Sequence, residues 1–311
     1  MSKQNMYPDL IEIGGLRIAW FGVLMALAFL TGGLVLASEL RRKGENPERA
    51  SSLVGWAILG GIAGAKIYYL ALNWPGTMAD PKAAVLSRAG LVWYGGFVGA
   101  IALVLWRLRR NRLPVLLYGD AIAPALALAY GVGRVGCFMA GDDYGLPTNL
   151  PWGVAFPRGL PPSTAYNLRA QFGVAVDPSV PDSAVLAVHP TQLYEVAMTL
   201  AIFAVLWKRR QRWQQPGVLF FVYLTLAGIE RFAVEAIRAK DDRFLGPLTV
   251  AQAISLGLIA AGLVGLARVR AGRPSSGCSA SPARAPARAA RRSGCRVFRR
   301  RNSVTSFHSR P

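Results

Sequence analysis

The sequence predicts an all-α integral membrane protein of seven transmembrane helices, with its N-terminus periplasmic and its C-terminus cytoplasmic. Three observations predict it. Of the 311 residues, 53% are apolar and only 17% charged, proportions outside the usual range for a water-soluble domain. The apolar residues gather into seven runs, most of them near the roughly 20 residues needed to cross a hydrocarbon core about 30 Å thick. Lys and Arg cluster after every second run, the pattern expected when positively charged loops are retained in the cytoplasm.

The first run, 18–38, is too long for a removable signal peptide and lacks the basic lead-in and small-residue cleavage site. Arg41, Arg42, Lys43 and Arg49 follow it. The second, 52–73, contains Gly60 to Gly64 (GGIAG), and the third, 91–106, opens on Trp93 to Gly96 (WYGG) and runs into Gly95 to Gly99 (GGFVG). Both glycine clusters have the small-xxx-small spacing of helix contact faces. Arg107, Arg109, Arg110 and Arg112 follow the third run. The fourth, 115–138, ends in GVGRVGCFMAGDDYG and leads to an outer segment, 139–191, with only Arg158 and Arg169 as basic residues. The fifth, 192–207, starts after His189-Pro190, proline being well placed in a first helical turn, and is followed by Lys208, Arg209, Arg210 and Arg212. The sixth, 217–237, carries Glu230, Arg231 and Glu235, and the seventh, 249–267, leads into an arginine-rich end. The third and fifth runs are short and require tilt or local thinning of the bilayer.

The net charge of +20 is unevenly placed. Residues 268–311 hold twelve of the 36 basic residues and none of the 16 acidic ones. This stretch of Ser, Pro, Ala and Arg has a composition for disorder, so the sequence divides into a transmembrane body, 1–267, and a basic cytoplasmic tail, 268–311. Nucleic acid is not an expected partner, since Phe298 and Phe307 are the only aromatics in that tail. Cys137 lies in the body and Cys278 and Cys295 in the tail, without a CxxC or a disulfide framework. The single body histidine, His189, excludes a His-rich metal site. Asp142-Asp143 lacks a third or fourth oxygen ligand at a suitable spacing, so no metal is expected and the pair is read as an arginine partner or loop brace. Gly131, Gly133 and Gly136 formally match GxGxxG but lack the strand, helix opening and acidic residue of a dinucleotide site. No cofactor is expected.

The chemistry lies at one depth. Lys66, Tyr68, Tyr69, Tyr94, Arg134 to Asp142, His189 to Glu195, and Glu230, Arg231 and Glu235 all fall in the outer half of the membrane on this topology. At about 1.5 Å per residue, Arg231 sits roughly 10 Å below the outer end of its helix. A charge at such depth costs at least about 2.5 kcal/mol and usually marks a polar cavity. Arg231 and Glu235, four apart on one helical face, are also spaced for an internal ion pair. Two arginines at one depth, Arg134 and Arg231, suit phosphate oxygens, and the nearest phosphate is that of a phospholipid.

Four motifs together resemble the bacterial prolipoprotein diacylglyceryl transferase family: GRVGCFMAGDDYGLPT (Gly133 to Thr148), HPTQLYE (His189 to Glu195), WYGG (Trp93 to Gly96) and RFAVEAIR (Arg231 to Arg238). The likeness runs from residue 10 to about 267 in the same order, and the tail has no counterpart. The resemblance implies a seven-helix inner-membrane enzyme moving diacylglycerol from phosphatidylglycerol to the lipobox cysteine of prolipoprotein signal peptides, with glycerol phosphate released. It also implies the roles. Arg134 binds phosphatidylglycerol, with Gly133, Gly136, Gly145, Gly95, Gly96, His189 and Glu195 around the substrate. Arg231, Glu235, Asp142 and Tyr94 take the catalytic positions. Three departures stand out: Tyr94 replaces a histidine before Gly95-Gly96, Phe21 follows Trp20 where the family has Trp-Tyr-Gly, and Cys137 replaces an asparagine. A phenol, which ionises near pH 10 in water, is a poor resting base, so the proton falls to Glu195 or Glu235, or to no dedicated side chain.

Overall fold

The computed structural model describes residues 9–13, 16–87, 92–240, 243–245 and 248–271. The expected tail, apart from residues 268–271, lies outside the described residues. Seven helices of 18 to 26 residues coincide with the seven apolar runs: α1 (Trp20–Arg42), α2 (Arg49–Leu72), α5 (Trp93–Arg110), α6 (Val115–Ala140), α8 (Thr191–Arg209), α9 (Val218–Glu235) and α10 (Val250–Ala271). Three helices of six residues lie between them: α3 (Trp74–Ala79), α4 (Pro81–Leu86) and α7 (Ala165–Ala170). By length and composition, α1, α2, α6 and α10 are each able to cross a membrane. Their outward faces carry large exposed apolar side chains such as Leu30, Leu34, Ile62, Ile67 and Leu263, a surface suited to hydrocarbon rather than water.

The chain is mostly helical, as expected of an all-α membrane protein. Three short antiparallel ribbons occur among the described residues: β1 (Asp9–Ile13) with β2 (Leu16–Ala19), β3 (Val154–Ala155) with β4 (Ala187–Val188), and β5 (Arg243–Leu245) with β6 (Leu248–Thr249). Apolar-run scanning misses strands this short. Ile11-Glu12-Ile13 and Leu16-Arg17-Ile18 alternate apolar with polar residues too briefly to register as a strand period, and β2 takes the start of the first apolar run, so α1 opens at Trp20.

Helix α6 is the centre of the body. Its small residues Ala121, Ala123, Ala125 and Ala127 are buried, which lets α1, α8 and α9 approach it closely. Leu36, Leu40, Leu53, Leu108 and Tyr118 form one core cluster with Ala121 and Ala125, and Ile202, Leu206 and Leu219 form another with Ala123 and Ala127. α2 and α5 pack as a pair through the two glycine clusters. A Cβ added at Gly60 would lie 2.4 Å from the Gly99 carbonyl oxygen, and one at Gly64 would lie 2.3 Å from that of Gly95. Backbone meets backbone there, and no side chain fits.

The basic ends of α1 and α8 are tied into the bundle by buried acids. Glu39, fully buried, pairs at 2.7 Å with both Arg42 and Arg210. Asp120, also fully buried, accepts hydrogen bonds from the Gly217 and Phe220 amides at 2.9 Å and lies 3.6 Å from Lys43 Nζ. These contacts join α1, α6, α8 and α9 at a single level.

At the other end of α6 the chain turns sharply. Gly141 adopts φ +66°, and the Gly141 and Asp142 amides both donate to the Cys137 carbonyl, a helix stop that favours glycine. Residues 141–190 then fold into a cap with its own core of Tyr144, Phe156, Leu168 and Val188, against which Ala239 also packs.

Candidate active site

Two turns before the end of α6, Tyr130 and Arg134 lie on one face, and α8 and α9 bring acidic groups toward it. Glu195, fully buried in α8, meets guanidinium groups from two helices. Its Oε2 is 2.9 Å from Arg134 Nε, and its Oε1 is 3.4 Å from Arg231 Nη1. The Tyr130 hydroxyl donates to the same Oε1 at 3.0 Å and accepts from Arg134 Nε and Nη2 at 2.9 and 2.8 Å.

Following the charges leads round a closed circuit. Arg231 Nη2 contacts Glu235 Oε2 at 2.6 Å, the i,i+4 pair expected from the sequence. Arg238, just beyond the end of α9, lies 3.6 Å from Glu235 Oε2 and donates to Asp143 Oδ1. Asp143 Oδ2 accepts from Arg134 Nη1 at 2.8 Å, closing the ring. Three guanidinium groups thus alternate with three carboxylates. Thr249 Oγ1 braces Glu235 Oε1 at 3.3 Å. Buried ion pairs add little net stability unless their hydrogen bonds are met, so this arrangement among apolar helices calls for a functional explanation.

Asp142 and Asp143 diverge in character. Burial alone would push Asp143 up, but the Arg238 and Arg134 guanidinium groups override it and hold its carboxyl below the usual range. Asp142 is pushed up to about 6, chiefly by burial and further by the Asp143 charge. Its Oδ1 is buried without a hydrogen-bond partner among the described residues. Cys137 Sγ and the two aspartate carboxylates lie within 4.8 Å of one another. A cation is a poor fit there, because Arg134 Nη1 already donates to Cys137 Sγ at 3.6 Å and Asp143 is bound to two arginines.

The HPTQLYE segment frames this loop. Gln192 Nε2 donates to the Asp142 carbonyl, and Thr191 Oγ1 donates to that of Asp143 at 2.7 Å. The Gly145 amide donates to the His189 carbonyl, and the His189 amide to Leu146. A Cβ at Gly145 would come within 2.6 Å of the Ile237 carbonyl and 2.8 Å of His189 Cβ, so only glycine lets the three segments meet. The His189 ring reaches Tyr194 at 3.2 Å, and Trp152 Nε1 donates to that same hydroxyl at 2.8 Å. His189 therefore supports the loop and stands apart from the ring.

Several expected site residues are placed elsewhere. Gly95 and Gly96 face α2, where a Cβ would strike Gly64 and Tyr68 or approach Gly61. Gly136 lies against Leu24 and Phe21 of α1, whereas the nearest atom to a Cβ at Gly133 is 4.0 Å away on Met25. Tyr94 stands outside the ring, its aromatic face edge-on to Trp93 at 5.3 Å. Sequence reading missed Arg238 and Tyr130. Tyr130 carried a signal, lying four before Arg134 at a helical same-face spacing, whereas Arg238 lies beyond the end of α9, where that spacing does not hold.

Fold and site together define a mostly helical membrane protein with an arginine–carboxylate ring set among apolar helices. Over residues 8–268 the sequence matches the family described as prolipoprotein diacylglyceryl transferase. A relative from Nostoc sp. named phosphatidylglycerol–prolipoprotein diacylglyceryl transferase is 33% identical over 267 residues, covering 84% of this chain and 88% of its own. Relatives of the same name from Synechococcus elongatus (34% over 267 residues; 83% and 86%) and Clostridium tetani (30% over 259 residues; 83% and 96%) are similar to it. The chain belongs to the prolipoprotein diacylglyceryl transferase family and is a transferase.

Proposed function

We propose that this enzyme moves the diacylglyceryl group of phosphatidylglycerol to the thiol of the lipobox cysteine in prolipoprotein signal peptides, the first step of lipoprotein maturation. The carrying observation is the ring, which holds Arg134 and Arg231 as planar forks in an apolar bundle where a phospholipid supplies the phosphate. The substrate brings its own nucleophile, a thiol of pKa about 8.5 that reacts as thiolate. Asp142, titrating near the operating pH, takes the thiol proton on its unpartnered oxygen. Sulfur then attacks the glycerol carbon bearing the phosphate ester. A carbon–sulfur bond forms as the carbon–oxygen bond breaks, and glycerol phosphate leaves with the electron pair. Guanidinium groups facing that oxygen stabilise the departing charge, an effect of a few kcal/mol at a preorganised site.

All seven long helices span the bacterial inner membrane on this reading. The support is charge placement: α1, α5, α8 and α10 carry basic residues in their last turns, and α2, α6 and α9 carry none. On this reading the N-terminus and the ring face the periplasm, 139–191 is a periplasmic segment and 268–311 is a basic cytoplasmic tail, an arrangement the alternation supports. The test is complementation of a strain depleted of its own transferase, with mass measurement of a model lipoprotein. One diacylglyceryl group is expected on its lipobox cysteine, and an unmodified lipoprotein from well-expressed protein refutes the assignment.

A further inference from the structure

Asp143 is the most accessible member of the charge ring, with Arg231 next at 22% side-chain exposure. Glu195 and Glu235 are 0% and 1% exposed at their side chains, whereas Asp143 is 40% exposed. The two arginines that Asp143 bridges, Arg134 and Arg238, are 12% and 8% exposed. Two nearly buried forks therefore converge on one carboxylate at the rim. To an arginine, a carboxylate and a phosphate present the same feature, a pair of charged oxygens. Asp143 also holds φ +57°, a left-handed conformation that few residues besides Gly, Asn and Asp adopt readily. Beside it opens a cavity of about 280 Å³ whose lining includes Tyr144, Gln171, Phe172, Arg238 and Lys240.

We propose that Asp143 is an internal stand-in for phosphate, occupying an anion seat between Arg134 and Arg238 until a glycerol phosphate group displaces it. The proposal rests on the transferase reading for the identity of the physiological anion. Charge balance favours the exchange: a phosphodiester brings one negative charge as Asp143 withdraws one. After transfer the released monoester carries more charge than the ring needs, and the returning carboxylate competes with it. Asp143 is thus a positioning residue that lowers the apparent affinity of the seat and hastens its clearance.

The decisive measurement uses the full-length enzyme in nanodiscs free of phosphatidylglycerol, titrated with soluble glycerol phosphate, alongside transfer kinetics with phosphatidylglycerol and a lipobox peptide. Asp143→Asn and Asp143→Gly both tolerate the left-handed backbone. Each should tighten the Kd for glycerol phosphate or the KM for phosphatidylglycerol by about five- to tenfold, the factor recovered when a competing occupant is removed. Tightening of the soluble ligand alone assigns the seat to the leaving group, and of the lipid alone to the entering headgroup. Arg238→Gln should weaken the same ligand. Asp143 variants that melt cooperatively yet leave both constants unchanged or weaker overturn the proposal, as does unaltered binding in Arg238→Gln. Tightened glycerol phosphate binding in an enzyme that transfers no diacylglycerol sinks the transferase reading and leaves the seat standing.

Discussion

Replacing Arg134 with lysine keeps the charge and removes the fork. Arg134 now reaches Glu195 Oε2 at 2.9 Å on one side and Asp143 Oδ2 at 2.8 Å on the other, while two of its nitrogens hold the Tyr130 hydroxyl. A lysine ammonium concentrates its donors at one point and cannot span both carboxylates. At least one charge-assisted hydrogen bond is lost, worth about 1.5–3 kcal/mol. If that bond is made to the phosphate in the transition state, kcat/KM for phosphatidylglycerol falls roughly 10- to 150-fold at about 1.4 kcal/mol per factor of ten. The assay is transfer to a lipobox peptide by purified protein, with thermal unfolding as a control for assembly. Arg134→Gln is the harsher companion, since it leaves Glu195 buried with less compensation and should destabilise the fold as well. Near-parental turnover in a folded Arg134→Lys enzyme refutes the phosphate role.

Because Asp142 must be ionised to take a proton, its upward shift places the rising limb of kcat/KM near pH 6; activity is lost below that and restored above it. Asp142→Asn should lower the rate and remove this limb, and a pH profile unchanged by the substitution would assign the proton elsewhere. Tyr94→Phe should cost less than about tenfold in rate, below the range of a lost charged hydrogen bond, since Tyr94 lies outside the ring; complete inactivity with normal expression would make the hydroxyl essential. Gly64→Leu should separate α2 from α5 and lower the melting temperature, because overpacking costs about 1–3 kcal/mol or more; an unchanged melt would contradict the backbone contact. Truncation after Ala271 should leave specific activity within about threefold in a transfer assay, where a tenfold change is about 1.4 kcal/mol.

What the sequence disclosed follows the range of each signal. Apolar run length located all seven long helices, and i,i+4 spacing foretold the Arg231–Glu235 pair. Glycine spacing marked the α2–α5 contact, yet the resemblance put Gly95 and Gly96 near substrate although both face α2. Periodicity fixes which residues share a helical face and says nothing about which helix that face meets. Glu195 was singled out, but its place between two arginines depends on the approach of α6, α8 and α9. Closure through Asp143 and Arg238 depends on a left-handed turn and on the end of α9, neither encoded in a repeating pattern. The short ribbons escaped because two to five residues carry too little periodicity.

The buried acids Glu39 and Asp120 have a mechanical consequence. They fasten four helices at the end remote from the ring, by ion pairs and amide contacts that cannot slide without stranding a charge. A bundle anchored in this way behaves like a clothes peg: its fulcrum is fixed, and small angular fluctuations are magnified toward the jaws. At the level of Arg134 and Arg231 the same helices α6, α8 and α9 are joined through the charge ring, so opening there depends on an exchange of its ion-pair partners. Weakening the fulcrum, as Glu39→Gln would, spreads that motion along the whole helix length and slackens the jaws without touching a residue of the ring.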